Sequence, residues 1–161
     1  MLYHTRRAFA VILLIFAFLS QFAVPVSASP REDAIALSRS VIIYSDGSYD
    51  EIIIIQLQTP NNRAVKSGQI SRTHYTDDNE AVWKVTLTGT YTYNGVTSSC
   101  INAVTNVTFY KPNWVVVSEN TSHSGNTAST NVVLGYNVLG TVVPLANVNL
   151  SLSCDKDGNL S

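Results

Sequence analysis

Charge is scarce in this chain: 13% of its 161 residues are Asp, Glu, Lys or Arg, and the ten basic residues form no block. A nucleic-acid partner needs such a block to neutralise phosphates, so none is expected. Histidine is scarcer still, and beyond residue 28 only His74 and His123 occur, neither at a metal-ligand spacing. No metal and no cofactor is expected. The nucleophile pattern Gly-x-Ser-x-Gly is missing, which removes the commonest hydrolase signature. Carboxylates gather in turn-like stretches, Asp46, Asp50 and Glu51 in one and Asp77, Asp78 and Glu80 in another, and read as solvated turns rather than the facing acids of a glycosidase. The run Asp155-Lys156-Asp157-Gly158-Asn159 begins like a calcium loop without its later ligands or closing Glu. The sequence therefore predicts no enzyme.

What is present begins with an export signal over residues 1–28. Arg6 and Arg7 precede an apolar run over residues 8–19, and Val26-Ser27-Ala28 supplies small residues at a cleavage position. Ser20, Gln21 and Pro25 break the run before it reaches the length of a spanning helix, so a secreted, extracellular product without a stable membrane anchor is expected. Every acidic residue lies beyond the signal, which leaves the mature part at a net charge of about −3. Residues 29–40 read as a flexible lead. Ser29-Pro30-Arg31-Glu32 has the form of a helix cap, but the ammonium created by cleavage would oppose the helix dipole.

From Val41 the apolar period is two. Residues 41–44 and 49–58 flank Ser45-Asp46-Gly47-Ser48 as a hairpin, and residues 66–75 form a more polar strand. Over residues 82–93, Trp83, Val85, Leu87, Gly89, Tyr91 and Tyr93 alternate with Lys84 and four threonines, giving one dry and one wet face. Asn94-Gly95 then turns the chain back into residues 96–100. Strands follow at 104–110, 114–118, 127–136 and 141–154, with Cys154 facing inward beside Val148, Leu150 and Leu152. Short strands at this spacing without long helices predict an all-β domain over residues 41–161. Its expected form is a two-sheet antiparallel β-sandwich, Ig-like, with a β-barrel as the alternative.

Cys100 and Cys154 are the only cysteines, and an oxidising compartment would pair them, closing a loop worth about 4 kcal/mol of chain entropy. The sequons at Asn106, Asn120, Asn149 and Asn159 follow from a Thr-, Ser- and Asn-rich composition. The run from Trp83 through Gly95, then Ser99-Cys100, Trp114, Ser124-Gly125-Asn126-Thr127-Ala128, Leu152-Ser153-Cys154 and the terminal Gly158-Asn159-Leu160-Ser161, resembles a family of small exported proteins of Gram-positive bacteria. The resemblance covers residues 41–161. It implies secretion and paired cysteines and carries no activity. Tyr110, Asn113 and Trp114 bracket the breaker at Pro112 and are the candidate binding residues, since exposed aromatics beside amides suit sugars and peptides. The expected function is a non-catalytic extracellular binding or adhesion domain whose partner is a cell-surface glycan or protein. The alternative is a small secreted effector such as a toxin, bacteriocin-like protein or inhibitor.

Overall fold

Alternating side chains need a second layer to bury their apolar face, and eight strands supply two. The computed structural model describes residues 34–57 and 64–161. The export signal expected over residues 1–28 and the start of the lead lie outside them. The strands are β1 (Ile35–Ile43), β2 (Tyr49–Leu57), β3 (Val65–Tyr75), β4 (Ala81–Tyr93), β5 (Ser98–Phe109), β6 (Trp114–Ser124), β7 (Thr127–Val138) and β8 (Thr141–Ser153). They form two antiparallel sheets, ordered β1-β2-β3-β4-β5 and β6-β7-β8. The result is the expected β-sandwich, not closed into a barrel. Each strand pairs with its sequence neighbour, so both sheets are meanders, and the Greek-key crossovers of an immunoglobulin domain are not among these connections.

The core follows from the alternation. Val85, Leu87 and Tyr91 of β4 meet Val132 and Leu134 of β7 and Val148, Leu150 and Leu152 of β8, all nearly or wholly inaccessible to solvent. Each such side chain contributes about 1.5–3 kcal/mol on burial. Asn94-Gly95 makes the β4–β5 turn: Gly95 takes a φ of 82°, and the Asn94 side chain accepts from the amides of Val96 and Thr97. At Gly89 a Cβ would lie 2.2 Å from the Tyr91 hydroxyl oxygen, because that ring folds back along β4. The hydroxyl donates to the Leu152 carbonyl at 2.6 Å, joining the two sheets through the core.

Two expectations are corrected. Residues 35–40, expected in the lead, belong to β1, which pairs with β2 from Ile35↔Gln56 to Ile43↔Tyr49. The hydrogen-bonding edge of β2 overrides the weak local helical tendency. The two runs expected at 96–100 and 104–110 are one continuous β5. The smaller sheet lies over β3, β4 and β5, and the larger sheet extends past it through β2 and β1. All of β1 is exposed, and Ile52 and Ile54 of β2 sit half-buried at the margin of the core.

Candidate functional site

The register sets one row of side chains across the larger sheet: Ile42, Asp50, His74, Trp83 and Phe109 are successive Cα partners from β1 to β5. Asp50 is the anomaly in that row. Its alternate neighbours Ile52 and Ile54 are apolar, yet Asp50 is only 1% exposed. A buried carboxylate must be hydrogen-bonded or paired. Asp50 accepts from the Tyr44 hydroxyl at 2.6 Å, from Arg72 Nε at 2.6 Å and from His74 Nδ1 at 2.7 Å, and Arg72 Nη2 completes the ion pair. Arg72 also donates to the Tyr44 oxygen at 3.0 Å. Burial pushes the Asp50 carboxyl up, but the bonds from His74, Tyr44 and Arg72 and the Arg72 charge outweigh it and hold the group below the usual carboxylate range.

A carboxylate only accepts, so the proton of a neutral His74 sits on Nδ1 and Nε2 is left as an acceptor. The imidazole stacks on Trp83, with ring centroids 5.2 Å apart and planes 16° from parallel. Trp83 meets Trp114 at 6.5 Å, and Trp114 meets Tyr136 edge-on at 5.7 Å. Along these groups runs a cavity of about 610 Å³, lined by Tyr44, Asp50, Arg72, His74 and Trp83 from the larger sheet and by Trp114 of β6 and Leu145 to Asn147 of β8 from the smaller one. That volume is within the range of small-molecule sites. Trp83 is 3% exposed, and its indole N–H is a buried donor with no acceptor among the described residues. An unmet buried donor costs about 1–3 kcal/mol.

The three candidate binding residues divide between two places. Trp114, at the start of β6, lines the cavity. Asn113 precedes it with a φ of 68°, its amide 3.4 Å from the Tyr136 hydroxyl and its carbonyl accepting from the Asn137 amide. Tyr110 is half exposed and within electrostatic reach of Tyr75, which stacks on Tyr49 at 4.8 Å. Tyr49 and Tyr75 are partners one position away from the Asp50–His74 pair, hence on the opposite face of the sheet. Tyr110 thus stands apart from the cavity. Tyr44, Asp50, Arg72 and His74 were missed as site residues because Asp50 sits among turn-like acids in the sequence. The available signal was the shared parity of residues 50, 52 and 54 with 70, 72 and 74 on facing strands.

The disulfide expected between Cys100 and Cys154 is corrected: both are free, buried thiols. They do reach the same end of the sandwich, where the backbone amide of Cys100 donates to the Gly125 carbonyl and that of Cys154 to the Asn126 carbonyl. Each sulfur turns to a carbonyl near in sequence, Cys100 to Asn102 at 3.3 Å and Cys154 to Asp155 at 3.5 Å. Burial raises both thiols above the ordinary range. The calcium-like run is a local turn in which the Asp155 carboxylate accepts from the amides of Asp157 and Asn159 and from the Asn159 side chain. Among the described residues no three His, Cys, Asp or Glu side chains group as a metal site, and no helix is long and apolar enough to cross a membrane.

A second, shallower depression of about 350 Å³ lies on the smaller sheet, where Asn131 donates to the side chains of Asn147 and Asn149 at 2.7 and 2.6 Å. Compared with protein-family models, with curated proteins and with solved structures, the chain matches none.

Proposed function

We propose that this chain is a non-catalytic secreted binding domain, and that its cell-surface ligand, a glycan or a protein, inserts a group into the cavity beside Trp83 and Trp114. The observation that carries this reading is the cavity itself: aromatic walls, a buried orphan donor and convergent polar groups on a sheet scaffold. Asp50 supports binding over catalysis, since a carboxylate held by three donors is committed to holding the wall in shape. Recognition by a prepared surface needs that rigidity.

Purified protein incubated with cell-wall material should be retained and leave it uncleaved. Trp114→Ala should release the protein, while Tyr110→Ala, on the other face, should remain bound. Cleavage of the material by pure wild-type protein contradicts the proposal, and so does full retention of a folded Trp114→Ala variant.

A further inference from the structure

The charges around the cavity narrow its ligand. Asp50 and Arg72 neutralise one another inside the wall, Tyr44 donates to the same carboxylate oxygen as Arg72, and His74 holds the other. Asp46 is the other charged lining residue. It stands exposed at the rim, where its carboxylate accepts from the Ser48 amide at 3.1 Å and hydroxyl at 2.7 Å. The lining therefore carries one uncompensated negative charge, which disfavours carboxylates, sulfates and phosphates. No unpaired cation is available among its described residues to hold an anion.

Two polar groups remain on the stacked pair. His74 Nε2 is an acceptor when the ring is neutral, and the Trp83 indole N–H is a donor without a partner. The imidazole is partly exposed and offers its acceptor to a hydroxyl, whereas the indole N–H lies buried on the ring stacked against it. Trp114, half-buried beside them, adds an aromatic surface for the C–H face of a ring.

Resting on the binding reading above, we infer that the cavity takes a pyranose ring of a glycan without an anionic group, one of whose hydroxyls donates to Nε2 of the His74 ring that stacks on Trp83. The chain has two tryptophans, so a ¹⁵N spectrum shows two indole N–H signals, assigned through Trp114→Phe. The full exported domain is titrated with neutral and carboxylated mono- and disaccharides. Neutral sugars should shift the Trp83 indole signal through the stacked His74 ring, and His74→Phe should weaken their binding about tenfold with the Trp83 signal still present as a mark of folding. Glucuronate should bind several-fold more weakly than its neutral counterpart. A Trp83 signal moved only by the carboxylated sugars, or binding of neutral sugars that leaves it unmoved, overturns the inference while the binding reading stands. If cell-wall retention does not depend on Trp114, the binding reading falls instead.

Discussion

Asp50 occupies an inward position of β2, and its carboxylate is matched by Arg72, Tyr44 and His74. Removing one member of a buried pair leaves the other charge uncompensated. Asp50→Asn should cost roughly 3 kcal/mol, at the low end for buried pairs because Arg72 still reaches water. Chemical denaturation measures it. The same group sets a pH dependence. Its folded pKa lies below the unfolded value of about 3.9, so its contribution is complete above pH 4 to 5 and is lost as pH falls through the folded pKa. Denaturation midpoints of the wild type should therefore fall toward those of Asp50→Asn below about pH 4. A constant gap down to pH 2 contradicts the assignment. At the cysteines, burial and a raised pKa predict slow alkylation of the folded protein and labelling of both thiols once it is unfolded without reductant. Two unlabelled cysteines in denaturant would mean a disulfide.

Among the elements, β4 was legible in the sequence and β1 was not, and the difference is physical. β4 lies between two strands and beneath a second sheet, so its two faces meet different surroundings and the sequence alternates accordingly: Val85, Leu87 and Tyr91 inward, Thr86, Thr88 and Thr90 outward. β1 is an edge strand exposed on both faces, so burial imposes no alternation on Ile35-Ala36-Leu37-Ser38, and only backbone pairing to β2 makes it a strand. The Asp50 network escaped the reading for a related cause. Its members lie at residues 44, 50, 72 and 74, brought together by register rather than by a motif. Gly89 is a position where β4 cannot accept a side chain. The Tyr91 ring that fills its place is pinned by the bond to Leu152, so Gly89→Ala should cost about 2 kcal/mol. Thermal unfolding will show it, and a neutral substitution would mean that the ring moves aside freely.

At the scale of the molecule, the unequal sheets explain where the cavity lies. Five strands face three, and the excess leaves the inward side of β2 and the end of β3 beside the β8 edge without a strand to close the gap. In a symmetric sandwich, Asp50, Arg72 and His74 would sit beneath another strand and be replaced by apolar residues. Here they line an opening whose rim is the β1–β2 turn. On the proposed reading this opening binds the ligand. An equilibrium isotherm of the purified domain with soluble cell-wall glycan, run on wild type, Trp114→Ala and Tyr110→Ala, tests it most directly. Trp114→Ala should lose about 1–3 kcal/mol of affinity, or roughly fivefold to 150-fold, while Tyr110→Ala keeps wild-type affinity. Equal affinity in a folded Trp114→Ala variant, or loss in Tyr110→Ala alone, would contradict the account and place recognition on the opposite face of the sheet.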